Sequence, residues 1–182
     1  MSIPKIDPAS VALKALVVGF RVTGSLVANS MGQTISKAGN SGGLGNRTDL
    51  QLLMALRRQS EIVLTSGATF RADEYKFPSN ADLAVLTRGS IALSVPDGRK
   101  LLTLQSSYLE SLADLRHFGY QRIHVEFGER GMKELVSAGA IDSLVLSSPS
   151  ESGLELLARR FGVNSENYLV EDLFVKVVAF QR

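Results

Sequence analysis

The sequence predicts a single α/β domain built on a mostly parallel β-sheet, and three observations carry that expectation. From Ser25 onward, short β-branched runs alternate with segments of helical period, the pattern that gives βαβ crossovers. The expected strands are short and rich in Val, Leu and Ile, as when helices cover both faces of a sheet. The 182-residue chain is 45% apolar and 21% charged, an ordinary balance for a folded domain, and a chain of this size buries roughly 70% of its unfolded surface without needing a disulfide or a metal. No repeat of fixed period and no Gly/Ser- or Pro-rich linker divides it. We read residues 1–24 as an N-terminal extension packed on a domain that spans residues 25–182.

The strands are expected at Leu26 to Asn29, Glu61 to Thr65, Leu83 to Thr87, Arg122 to Phe127 and Ser143 to Leu146. Between them, Asn46 or Thr48 can cap a helix that runs through Arg58, with Leu50, Leu53, Met54 and Arg57 on one i, i+3, i+4, i+7 stripe. A second helix covers Ser107 to Phe118 and is followed by Gly119, a residue suited to a left-handed C-terminal cap. Further helices are expected from about Arg130 to Ser137, before Gly139, and from about Leu154 to Phe161, before Gly162. The run Tyr168 to Gln181 has strong β propensity and is expected to pair antiparallel at or near a sheet edge. Ala9 to Val22 reads either as a helix with a following turn or as a strand.

Composition removes several function classes. With no Cys, the chain can form neither a disulfide nor a zinc-thiolate site and has no thiol nucleophile. The 20 basic and 18 acidic residues leave a net charge of +2, so the pI near 9.0 reflects a small excess and argues for no nucleic-acid partner. The apolar stretch Val11 to Val22 is interrupted by Lys14 and Arg21 and is too short for a bilayer, which takes about 20 apolar residues. Lys5 and Asp7 precede it, unlike a signal peptide. We therefore expect a cytoplasmic protein with no membrane association. The two histidines, His117 and His124, are expected at a helix end and in a strand, which gives no metal site.

Three loops follow expected strands at the carboxyl ends, where open α/β folds place ligands. They are Ser66-Gly67-Ala68-Thr69, Thr87-Arg88-Gly89 and Phe127-Gly128-Glu129-Arg130-Gly131. Small residues let backbone N–H groups approach a phosphate, and Arg88 can offer it a planar fork. Neither GxGxxG nor the P-loop pattern occurs, so those two phosphate-binding motifs are excluded. Gly39-Asn40-Ser41-Gly42-Gly43 matches Gly-x-Ser-x-Gly, but a nucleophile elbow needs a strand before it and a helix directly after, and the glycines here make a poor helix start. The pairs Arg57-Arg58 and Arg159-Arg160 at helix ends, and Asp73-Glu74 and Glu171-Asp172 in turns, read as solvated charge.

In their joint order these words resemble a known family. The matching text is Ser41-Gly42-Gly43-Leu44-Gly45, Thr48-Asp49, Ala55-Leu56-Arg57, the run Val63 to Tyr75, Leu83 to Arg88, Arg122 to Glu126 and Leu135 to Leu144. It is similar to the reductase domain of riboflavin biosynthesis, in the stand-alone pyrimidine-reductase branch, over roughly Val27 to Pro149. The resemblance implies a three-layer dihydrofolate-reductase-like fold and NADPH as cofactor, giving a hydride to a ribosylaminopyrimidine. By that resemblance Thr65, Gly67, Ala68, Thr69 and Arg71 line the nicotinamide and phosphate side, Thr87 and Arg88 meet the adenosine 2′-phosphate, and Gly128 with Glu129 meets the pyrophosphate. Asn29, Ser41 and Glu126 would face the substrate. It also implies a homodimer, and the apolar run Phe174 to Phe180 would otherwise leave an exposed strand.

The chain departs from the family at three places, one of them the usual Gly-Ala-Gly-Thr, which reads Ser66-Gly67-Ala68-Thr69 with both family glycines replaced. The family's Ser-Leu-Asp-Gly turn, whose Asp meets the substrate, is replaced by Asn29-Ser30-Met31-Gly32-Gln33, and no acidic residue occurs between Asp7 and Asp49. The usual Glu-Gly-Gly reads Glu126-Phe127-Gly128, and a Phe there is expected to crowd the pyrophosphate. No catalytic residue is assigned on these grounds. The alternative to an enzyme is a non-catalytic reductase-like module that binds a ligand or partner.

Overall fold

A computed structural model of the chain describes residues 3–15, 21–36, 39–41, 43–73 and 75–180. Parts of the expected features lie outside these residues, namely 16–20 of the segment after Ala9, Gly42, Glu74 and Gln181. The N-terminal ambiguity resolves as a helix. Asp7 caps α1 (Pro8–Lys14) by accepting from Ser10 N at 3.0 Å, and Pro8 supplies the fixed φ that suits a first turn. Strand β1 (Arg21–Val27) begins five residues before the expected Leu26. The boundary placed between residues 24 and 25 therefore falls inside this strand.

The order continues with α2 (Arg47–Arg58), β2 (Ile62–Ser66), α3 (Gly67–Ala72), β3 (Asp82–Leu86), β4 (Leu101–Leu104) and α4 (Tyr108–His117). It closes with β5 (Arg122–Glu126), α5 (Glu129–Ser137), β6 (Ser143–Ser148), α6 (Glu151–Arg160), β7 (Asn167–Val170) and β8 (Leu173–Ala179). The strands form one sheet in the order β4-β3-β2-β5-β1-β6-β8-β7. All pairs from β4 to β6 are parallel, and β8 pairs antiparallel with both β6 and β7. The expected three-layer α/β architecture, a mostly parallel sheet with an antiparallel C-terminal end, is thus present.

Strand alternation sorts the core into layers. Ile62, Leu64, Ala84, Leu144 and Leu146 face α4, α5 and α6, where Leu112, Leu115, Met132, Leu135, Leu154 and Leu157 meet them. On the other face Val145 and Val175 pack with Val11 and Ala12 of α1 and Leu52, Ala55 and Leu56 of α2. Val63, Leu83 and Val85 are covered by Phe70 of α3, Tyr75, and Ile91 and Leu93 of the long β3–β4 connection. The buried face of α2 is Thr48, Leu52, Ala55 and Leu56 rather than the stripe expected through Leu50, which is 58% exposed.

Two further expectations are corrected. The stretch after β2 is not a plain loop, because Ser66 caps α3 by accepting from Thr69 N at 3.1 Å. The C-terminal run pairs antiparallel at the sheet edge as expected, but as the hairpin β7–β8 rather than a single strand, turning at Glu171 and Asp172. β8 is paired on both sides, and the outer edge of β7 is met by the N-terminal segment: Ile6 N donates to Leu169 O at 3.0 Å and Leu169 N to Pro4 O at 2.8 Å. The run Phe174 to Phe180, expected to need a second copy to cover it, lies in β8 between β6 and β7, and residues 4–6 meet the outer edge of β7 at Leu169.

Candidate functional site

The carboxyl ends of β2 and β3 open into a cleft of about 680 Å³. One wall is Ser66, Gly67, Ala68 and Arg71 from the start and end of α3, followed by Leu86, Thr87, Arg88 and Gly89 after β3. The other wall is Ser106, Ser107, Tyr108 and Glu134, from the β4–α4 connection and α5. Five residues read from the sequence as cofactor contacts, Gly67, Ala68, Arg71, Thr87 and Arg88, therefore share one cavity. The opposite wall was missed because β4 was not recognised in the short run Leu101–Leu104. The Ser107…Glu110 pair was its available signal, and it forms a capping box: Glu110 N donates to Ser107 Oγ at 3.3 Å and Ser107 N to Glu110 Oε2 at 2.8 Å.

Gly67 is required by close approach. A Cβ at position 67 would stand 2.5 Å from Thr87 Oγ1 and 3.1 Å from an Arg71 guanidinium nitrogen. That contact places Arg71 across the ends of β2 and β3, near the loop that carries Arg88. Both arginines are exposed, and among the described residues neither forms an ion pair or side-chain hydrogen bond. Two unmatched guanidinium groups beside small residues make this wall a receptor for an anion with several oxygen acceptors.

The remaining expected contacts lie elsewhere. Thr65 is buried in β2 and donates from Oγ1 to Glu126 O at 3.0 Å, stitching β2 to β5, while Thr69 Oγ1 pairs with Ser66 Oγ at 3.0 Å. Gly128 is the N-cap of α5, and a Cβ there would meet nothing within 4 Å, so its backbone stands open. Glu129 begins α5 but its carboxylate is engaged by Lys133 at 2.8 Å, Arg160 at 2.7 Å and Thr34 at 3.0 Å. Phe127 does not crowd this end as expected. Its side chain is 2% exposed and packs in the core, with ring centroids 4.8 Å from Tyr108.

The three residues expected to face a substrate each have internal partners. Asn29 closes its own turn, accepting from Met31 N and Gln33 N, both at 2.9 Å. Ser41 donates from N and Oγ to Asp73 at 2.7 and 2.8 Å, so Asp73 anchors the β1–α2 loop rather than facing solvent alone. Glu126, at the end of β5, takes a bidentate pair from Arg57 at 2.7 Å on each oxygen and a 2.5 Å bond from Tyr75 OH. Arg57 is thus not solvated charge as read from the sequence. Burial alone would push the Glu126 carboxyl up, yet the Arg57 charge and bonds, aided by His124 and Tyr75, hold it below the ordinary carboxylate range. Burial, then the Glu126 charge, lifts the Tyr75 hydroxyl well above the usual phenol value. Burial drives His124 down to about 4, so it is neutral, with Nε2 3.0 Å from Ser25 Oγ.

One acid that sequence reasoning passed over stands at the same edge of the sheet. Asp49, in the first turn of α2, accepts from Ser147 Oγ at 2.8 Å, and burial raises its carboxyl above the ordinary value despite that bond. Among the described residues no group of three or more His, Cys, Asp or Glu is arranged to hold a metal ion, and no helix is long and apolar enough to cross a membrane.

Comparison with known proteins bears on the fold. No family model and no curated protein matches the chain. Solved structures do match. A pyrimidine reductase-like protein of Corynebacterium diphtheriae aligns with TM-score 0.73 and 14% identity, over 97% of this chain and 100% of that one. The chain has the fold of a pyrimidine reductase. The riboflavin biosynthesis reductase of Saccharomyces cerevisiae aligns with TM-score 0.56 and 10% identity over 90% and 91% of the two chains. A diaminohydroxyphosphoribosylaminopyrimidine deaminase/5-amino-6-(5-phosphoribosylamino)uracil reductase of Thermotoga maritima aligns with TM-score 0.60 and 14% identity, over 88% of this chain and 56% of that one. The fold is therefore shared at 10–14% identity.

Proposed function

We propose that this protein is an NADPH-dependent reductase of the riboflavin-biosynthesis type, acting on a ribosylaminopyrimidine. The observation that carries the reading is the pair of unmatched arginines, Arg71 and Arg88, in a cleft at the carboxyl ends of β2 and β3. The residues fit the cofactor. Arg88, Arg71 and Thr87 would hold the adenosine 2′-phosphate, Gly67 and Ala68 let the backbone come close, and the open Gly128 backbone at the start of α5 suits the pyrophosphate. Bound there, NADPH would supply the hydride. The chain's own task is to fix the two reacting carbons close together and to neutralise the anionic ends of the cofactor. Of the substrate contacts, Ser41 stands with Asp73 beyond α2, and Asn29 and Glu126 act by shaping the loops around the pyrimidine.

The test uses NADPH with 5-amino-6-(5-phosphoribosylamino)uracil, the compound in the Thermotoga reductase's name. Loss of reduced-nicotinamide absorbance together with a product two hydrogens heavier by mass spectrometry supports the reading. The second reading is a non-catalytic module, favoured by the acid-free turn in which Asn29 is consumed by its own backbone. Nucleotide binding without turnover of this substrate decides for it. A homodimer in the cytoplasm belongs to the same proposal. Light scattering reads the assembly against the 19.6 kDa monomer.

A further inference from the structure

Among the described carboxylates with perturbed ionisation, Asp7, Glu110, Glu126, Glu129 and Glu155 are lowered and Asp49 alone is raised. Its position gives that difference a meaning. Asp49 N donates to Asn46 Oδ1 at 2.9 Å, which sets the first turn of α2 and aims the carboxylate at the end of β6. There Oδ1 accepts from Ser147, the residue paired with Val27 at the end of β1, while Ala28 N donates to Ser147 O at 2.9 Å. β1 lies between β5 and β6, so this acid stands over the carboxyl end of the sheet's inner strand, where open α/β sheets bind ligands. A Cβ at position 45 would collide with Asp49 Oδ2, so Gly45 lets the loop close against the acid.

The other acids at this end are committed. Glu126 is matched by Arg57 and Tyr75, and Glu129 by Lys133 and Arg160. No cation is bonded to Asp49 among the described residues. The titratable groups on the neighbouring element are Glu171 and Asp172 of the β7–β8 turn, which accept from Thr48 Oγ1 at 3.0 and 2.6 Å on the same helical turn, and Ser147 is the only β6 group bonded to the carboxylate. The helix dipole favours a carboxylate in this first turn, and burial without a bonded cation among the described residues opposes its ionisation, so the acid is held ready to carry a proton.

We propose that Asp49 is the proton donor of the reduction, serving the substrate half of the site in place of the acid missing from the Asn29–Gln33 turn. The assignment rests on the reductase reading. In the ring-opened substrate, a hydride from the reduced nicotinamide forms the new C–H bond at the ribosyl carbon. The π pair of the carbon–nitrogen double bond takes the Asp49 proton and becomes N–H. The carbon is reduced, the nicotinamide is oxidised, and the carboxylate regains a proton from solvent.

Asp49→Asn and Ser147→Ala test this in the full chain. Asp49→Asn keeps the shape and the Ser147 bond, so NADPH affinity by nicotinamide fluorescence is unchanged while reduction of 5-amino-6-(5-phosphoribosylamino)uracil slows by about 10²- to 10⁴-fold. In ¹³C NMR of Asp-labelled protein, the one γ-carboxyl titrating above the ordinary Asp range disappears. Since ionised Asp49 opposes folding above its pKa, the Asn variant melts at the same or a higher temperature at neutral pH. Ser147→Ala removes the bond that holds the pKa down, so the variant stays active and the limb of its kcat/KM profile moves to higher pH. Wild-type turnover that persists undiminished in Asp49→Asn, or a Ser147→Ala profile that does not move, overturns the assignment alone. A wild-type protein that binds NADPH but does not reduce this substrate overturns the reductase reading and the assignment with it.

Discussion

The carboxyl edge of the sheet carries two arginine-containing regions that treat charge in opposite ways. At the end of β5, Arg57 is spent on Glu126 and Tyr75, and the bonded atoms are withdrawn from solvent. At the ends of β2 and β3, Arg71 and Arg88 are exposed and meet no carboxylate among the described residues. The first region is a framework that has its counter-charge built in. The second has no counter-charge built in among the described residues, and the proposed function assigns it to an anionic cofactor. The same residue type is thus matched to an acid in one place and left exposed in the other, and that difference is what the proposed function rests on.

The comparison is broken most severely by Glu126→Gln, which leaves Arg57 without its anion in a buried setting. It should cost about 3–5 kcal/mol in urea unfolding, and a loss under 1 kcal/mol would mean that the pair is no framework. Acid acts on the same region through His124. Its folded pKa, about 4, lies below the 6.5 of a free histidine, so the unfolded chain takes up the proton first and stability falls as pH drops from about 6.5 toward about 4. Glu126, also lowered, adds a loss further into acid, as pH falls through its folded value. Urea midpoints across this range should slope steeply in the wild type and much less in His124→Gln. At the receptor, Gly67→Ala drives a methyl into Thr87, and a cost of about 1–3 kcal/mol is expected. Arg88→Ala lies at the other extreme and should change stability by less than about 0.5 kcal/mol. A larger loss there would show a hidden partner and erase the distinction between the regions.

Much of the framework was legible in the sequence because hydrophobic periodicity and helix caps are local signals. The helices around Asn46, Ser107, Arg130 and Leu154 all formed, with Gly119, Gly139 and Gly162 in the left-handed region just past three of them. β4 was not legible, since its four residues, two half-buried, one exposed and one buried, leave no clear alternation. The cleft was legible where small residues and Arg88 follow strands, and the fate of a side chain was illegible where it depends on a distant partner. Nothing local separates Arg57 from Arg58, yet one is buried against Glu126, 69 positions away, and the other is solvated. Asn29 was assigned to the substrate by resemblance, whereas its side-chain oxygen closes its own turn, a use that only the folded loop reveals. Asp49 was hidden for the same reason, because its Ser147 partner lies 98 positions on.

The measurement that tests the central claim most directly is a titration with NADPH and NADH, followed by nicotinamide fluorescence, in the wild-type protein and in Arg88→Ala. If the unmatched arginines receive the 2′-phosphate, NADPH binds more tightly than NADH. A charge-assisted contact of about 1.5–3 kcal/mol then makes Arg88→Ala lose roughly 10- to 150-fold in NADPH affinity while NADH binding stays the same. Equal affinity for the two nucleotides in the wild type, or an Arg88→Ala protein that still prefers NADPH as strongly as before, would contradict the account.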